Sequence, residues 1–180
     1  MALALTTAVK TILTPTGSVS RSLFEIPLSD LLLFGVFLFV VIPFYHGAVW
    51  ALVRVFSRES SAKKGGLMII TFAVMLLEAL LFYAMAGSIN SLLNFIFWFG
   101  CVMLLDATWV GLAHASGATN QEAPRAWAII NVGMLVFLVV FWNLPDVSLL
   151  PRYVLLFAAA VVRTALDYYF TRRYYLPDLG

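Results

Sequence analysis

LLLFGVFLFVVIPFYHGAVWALVRVF, residues 31–56, carries no acidic or basic side chain from Leu31 through Val53 apart from the titratable imidazole of His46. A helix needs about 20 residues at 1.5 Å each to cross the hydrocarbon core of a bilayer, and this stretch supplies them. Two residues interrupt its apolar character. Pro43 has no amide hydrogen, so it frees the carbonyl of Phe39 for water or a side chain and can kink the helix. His46, three residues on, is a polar side chain at a depth where polar side chains are costly.

The rest of the chain has the same character. Of 180 residues, 63% are hydrophobic and 11% charged, with a mean hydropathy of +0.98. A soluble domain carries about 25% charged residues. The fold class that follows is all-α: a polytopic integral membrane helical bundle, in which each backbone polar group is satisfied within its own helix. The net charge is +2, and the basic residues lie between apolar segments without forming a patch, so nucleic acid is not a partner. Cys101 is the single cysteine; it lies in an apolar run, and neither a disulfide nor a thiolate metal site can form within one chain.

About five spans are expected, near Leu31 to Phe56, Leu67 to Ala86, Leu92 to Ala115, Trp127 to Asn143 and Leu149 to Phe170. "GSIN", residues 87–90, reads as a tight turn between the second and third. The connections are short and leave no separate extramembrane domain. Residues 1–24 form an N-terminal segment in which Leu5, Val9, Ile12 and Leu13 recur at helical spacing, and a short amphipathic helix lying on the membrane surface is expected there. Lys10 follows the apolar start, which argues against a signal peptide. Residues 25–180 read as one transmembrane domain. There is no internal repeat of the kind many transporters show.

Lys and Arg in short loops are retained on the cytoplasmic side. Arg54, Arg58, Lys63 and Lys64 flank the first connection, Arg125 the third, and Arg172 and Arg173 the tail, whereas "GSIN" has no basic residue. An outside N-terminus and a cytoplasmic C-terminus follow, in a multi-pass protein of the cell inner (plasma) membrane. Lys10 and Arg21 run against that orientation.

Depths counted from these boundaries gather an intramembrane polar cluster in the cytoplasmic half: His46 and Asp106 at about 12 Å, Arg163 at about 13 Å, Asn131 at about 9 Å and Asp167 at about 8 Å. Glu78, counted from Lys64, falls at about 21 Å and is expected to be an isolated membrane carboxylate. Buried charges pair, so Arg163 should meet Asp167 one turn along its helix or Asp106 across the bundle, with His46 beside Asp106 or Arg163. Such a belt either locks helix register or lines a path for ions, protons or solute.

No cofactor or metal is expected. His46 and His114 lie at different depths, which disfavours bis-histidine haem, and no HExxH spacing or cysteine pair marks a zinc site. No GxSxG elbow marks a hydrolase. Ala107, Gly111 and Ala115 make a stripe of small residues on the third span, and Ala158, Ala160 and Ala165 offer a small surface on the fifth. Trp50, Trp109, Trp127 and Trp142 read as interfacial anchors. The expected function is a channel- or transporter-like membrane protein, with the lipid bilayer and either a homo-oligomer or other membrane subunits as partners. The alternatives are a non-catalytic anchor or accessory subunit of a larger membrane complex, and an intramembrane enzyme at the inner headgroup level.

Overall fold

A computed structural model describes residues 1–14, 22–57, 62–115, 122–144 and 148–175. Arg21, Arg58 and Asp146 lie outside the described residues, as do the side chains of Arg54, Lys63, Lys64, His114, Ala115, Arg173, Tyr174 and Tyr175. The chain is an all-α bundle of α1 (Ala2–Leu13), α2 (Leu28–Ser57), α3 (Ala62–Ala86), α4 (Leu92–Ala115), α5 (Glu122–Trp142) and α6 (Leu149–Tyr175), with a single 3-10 turn at Leu23–Glu25. Helices α2 to α6 contain the five segments long and apolar enough to cross a membrane.

Local chemistry sets the helix ends. The Ser22 amide donates to Glu25 Oε2 at 2.9 Å in a capping box, and the Pro27 carbonyl accepts from the amides of Asp30 and Leu31. Helix α2 therefore begins at Leu28, ahead of the expected Leu31. At the end of α3 the Gly87 amide donates to Tyr83, the Ser88 amide to Met85, and the Ser88 hydroxyl to the Ala84 carbonyl. These bonds occupy the last carbonyls of α3 and fold the chain directly into α4.

Each of α2 to α5 packs on the next helix in sequence, and α6 closes the ring on α2. The α2–α6 seam runs parallel: Gly35 faces Phe157, Phe39 faces Phe157 and Thr164, and His46 faces Tyr168. A Cβ at Gly35 would stand 2.5 Å from Phe157 Cε2, so the close approach requires glycine. The Phe39 carbonyl freed by Pro43 accepts the Thr164 hydroxyl at 2.6 Å, so the bond that proline removes from α2 is replaced from α6.

The ring's interior has two halves. Phe37, Phe82, Phe95, Phe99, Leu33 and Met103, all fully buried, fill the half nearest the α3–α4 turn. Edge-to-face contacts of Phe82 with Phe44 at 5.3 Å and with Phe37 at 6.5 Å bind that apolar plug together. Polar side chains collect in the other half. The outward surface is a sheath of Leu, Ile, Val and Phe, including Ile69, Ile129, Val139 and Val162, as contact with lipid requires.

The N-terminal helix forms where expected, but its inward face differs. Ala4, Ala8 and Ile12 are buried, with α1 packed on α3, while Leu5 and Val9 point outward. Small side chains on every fourth residue let the two backbones approach. On the small stripe of α4, Gly111 is exposed, with nothing within 4 Å of a Cβ placed there. On α6 only Ala160 is fully buried, whereas Ala158 and Ala165 are exposed.

Candidate functional site

The polar half of the ring encloses a cavity of about 80 Å³ to which all five spans contribute: Pro43 and Phe44 from α2, Thr71 and Glu78 from α3, Asp106 and Trp109 from α4, Trp127 from α5, Arg163 and Asp167 from α6. That is room for several waters and less than a drug-sized solute requires, typically about 300 Å³ or more.

A hydrogen-bonded chain of side chains crosses three helices, α4, α5 and α6, beside it. Trp127 Nε1 donates to Asp167 Oδ1 at 2.7 Å, and the Thr171 hydroxyl donates to the Asp167 carbonyl at 2.5 Å. Arg163 Nη1 lies 3.6 Å from Asp167 Oδ2, one turn away on α6. Arg163 Nη2 donates to Asn131 Oδ1 at 2.8 Å, and the Asn131 amide donates to Asp106 Oδ2. Glu78 of α3 lines the same cavity as Asp106. The fifth span joins through Phe44, whose ring centroid lies 5.0 Å from the guanidinium carbon of Arg163.

Two features separate this network from a closed structural lock. First, three carboxyl groups, Glu78, Asp106 and Asp167, share the cavity with one guanidinium, Arg163, so with a proton on one of them the cluster still carries one negative charge in excess. Second, Arg163 is only 4% exposed, yet its Nε and Nη1 have no hydrogen-bond partner, although the residue lines the cavity. Buried donors normally find partners.

Asp106, Asn131, Arg163 and Asp167 come together as one cluster, with Arg163 meeting Asp167 directly and Asp106 through Asn131. Two expectations need correction. Glu78 is not isolated: it lines the same cavity as Asp106 and Arg163. His46 does not meet Asp106 or Arg163 in the hydrogen-bonded chain. Its Nδ1 is 3.3 Å from the Tyr168 hydroxyl, and its Nε2 accepts from Trp50 Nε1 at 3.1 Å. His46 thus faces α6 at Tyr168.

Sequence reasoning missed Trp127, Trp109, Thr71 and Phe44 at the cavity. The two tryptophans read as interfacial anchors because amphipathic rings usually are; the carboxylate at the depth of Trp127 was the available signal. Among the described residues, no group of three or more His, Cys, Asp or Glu is arranged to hold a metal ion. No protein-family model, curated protein or solved structure matches this chain.

Proposed function

We propose that this protein is a channel- or transporter-like membrane protein whose loading site is the cavity formed by all five spans. The observation that carries this reading is a charged network turned toward a water-sized cavity, with Arg163 donors left for whatever occupies it. Each intramembrane charge costs about 2.5 to 3.5 kcal/mol on insertion scales. Apolar side chains of similar volume often stabilise as well as a buried ion network does, so stability alone gives little reason to retain these groups.

All five spans of one chain line the cavity, so each copy in an oligomer would carry its own. The apolar plug of Phe37, Phe82, Phe95 and Phe99 closes the far half. Passage therefore requires a rearrangement of the ring, as in a gated or alternating path. The exposed Arg125 and Arg172 stand at the cavity end of α5 and α6; with the basic loop of Lys63 and Lys64 at the same end, the cavity faces the cytoplasm of an inner (plasma) membrane. The outward Leu5 and Val9 on α1 suit an interfacial position.

Reconstitution into liposomes tests the reading. Purified protein should dissipate an imposed ion gradient, and Glu78→Gln should reduce the rate at least tenfold while the protein stays folded. Rates equal to empty liposomes for every ion tried would refute it. Cysteine labelling gives the orientation: position 63 should react from the inside and position 90 from the outside.

A further inference from the structure

We infer that Glu78 and Asp106 together form a proton-loading site, and that the proton is the species the cavity carries. This rests on the transport reading above and adds to it the identity of what is bound.

Size comes first. About 80 Å³ admits several waters and no larger organic solute. A metal cation would need a shell of oxygen ligands, commonly about six. Here the Asn131 amide turns its NH2 toward Asp106 and its oxygen toward Arg163, and Arg163 itself lines the wall. A guanidinium and an amide donor directed into the site oppose a metal ion. A proton needs only the two carboxyl groups that line the cavity and water to bring it.

Arg163 supplies the independent sign of that water. Arg163 lines the cavity, and its Nε and Nη1 are buried without a hydrogen-bond partner, with Nη1 3.6 Å from Asp167 Oδ2. A water there accepts from Arg163 and donates to Glu78 or Asp106, which gives it the two or more polar partners a buried water needs. In the loading step an O–H bond of a hydronium ion in the cavity breaks and an O–H bond forms on the carboxyl pair, leaving water behind. The pair passes from one proton to two. Arg163 and Asp167 keep their opposite charges, so the loaded cluster has no net charge.

Neutrality is the state compatible with the apolar half of the ring, since uncompensated charge is strongly disfavoured there. Phe82, one turn beyond Glu78 on α3, belongs to that half. The groups around the pair are Asp106 on α4, and Arg163, Asp167 and Tyr168 on α6. Helix α2 adds His46, bonded to Tyr168. The described polar groups of α5 are uncharged at this level, Asn131 and Trp127, with Arg125 at the mouth. Lys10 of α1 is exposed.

Infrared difference spectroscopy of the protein in liposomes, between neutral and acidic pH, tests this directly. The expected result is a gain in the carbonyl stretch of a protonated carboxyl group, shifted in heavy water and lost in both Glu78→Gln and Asp106→Asn. Heavy-carbon labelling of glutamate or aspartate carboxyl groups assigns the band in the unmutated protein, so the test survives if a variant does not fold. Asp30→Asn, on the opposite end of the bundle, should leave it intact. A difference spectrum without such a band, or one unmoved by either label, would overturn the proposal. Proton uptake without flux would support the site and refute the transport reading, whereas flux of another ion with no carboxyl band would refute the proton site alone.

Discussion

Arg163 reaches Asp106 through one carboxamide: Asn131 accepts from its Nη2 at 2.8 Å and donates to the carboxylate on the other side. One uncharged side chain from α5 thus joins the charges of α4 and α6, and no other type of similar size offers both an acceptor and a donor at this spacing. Asn131→Leu should strand both partners. With about 1 to 3 kcal/mol for each buried polar group left unpaired, thermal unfolding in detergent should shift down strongly. Asn131→Asp puts a fourth carboxyl beside Asp106 and should be no better.

The direct ion pair with Asp167 gives a sharper expectation. Removing one partner of a buried pair costs about 3 to 5 kcal/mol, because the other charge is left uncompensated. Arg163→Ala should therefore destabilise strongly. Adding Asp167→Asn should recover more of the loss than adding Asp106→Asn, since Arg163 lies 3.6 Å from Asp167 and meets Asp106 only through Asn131. A double-mutant cycle on unfolding midpoints decides it; equal recovery by the two substitutions would mean that the network shares charge evenly.

The Phe39 carbonyl offers a test of the proline. Thr164→Val removes its 2.6 Å donor and should cost about 1 to 3 kcal/mol. Pro43→Ala restores an amide hydrogen one turn along, directed at the same carbonyl. In the Pro43→Ala background the Thr164→Val penalty should fall by at least half. Additive effects would show that the two donors do not serve the same oxygen.

Much of this was legible in the sequence, and the losses share one cause. Apolar length fixed the spans, and the loss of one amide at Pro43 announced an unpaired carbonyl at Phe39. Counting residues along a helix gives depth, which placed Asp106, Asn131, Arg163 and Asp167 at compatible levels. It does not give azimuth. His46 has the right depth but faces Tyr168, and Trp127 was read for its amphipathic ring although it turns inward to Asp167. Glu78 was read as isolated from its depth alone, yet it lines the same cavity as Asp106 and Arg163. Azimuth depends on which faces of neighbouring helices fit together, and contacts such as Gly35 against Phe157 set that.

That contact sets two known effects against each other. Gly35→Ala gains about 1 kcal/mol of helix propensity but places a methyl group 2.5 Å from a ring atom of Phe157. Overpacking costs about 1 to 3 kcal/mol, and the Phe157 ring is held at 5.6 Å from Phe39 in an edge-to-face pair, which limits its retreat. The net change should be destabilising. Gly35→Ala combined with Phe157→Leu should unfold at a higher temperature than Phe157→Leu alone, since the propensity gain then stands without the clash.

His46 supplies the last test, because its partners determine its tautomer. The indole N–H of Trp50 is a donor only, so Nε2 carries the lone pair, and Nδ1 holds the hydrogen that faces the Tyr168 oxygen. The chain has two histidines, so nitrogen NMR on histidine-labelled protein, with His114→Gln for assignment, should find His46 neutral with hydrogen on Nδ1. Protonation would put a hydrogen on Nε2 and break the Trp50 bond. His46→Gln keeps an acceptor and a donor and should preserve the fold, while His46→Leu removes the partner that the Trp50 indole and the Tyr168 hydroxyl share and should lower the unfolding midpoint. Because His46 stands outside the Arg163–Asn131–Asp106 chain, neither change should abolish the infrared carboxyl band. A band lost in His46→Gln protein that remains folded would make the imidazole part of the proton path.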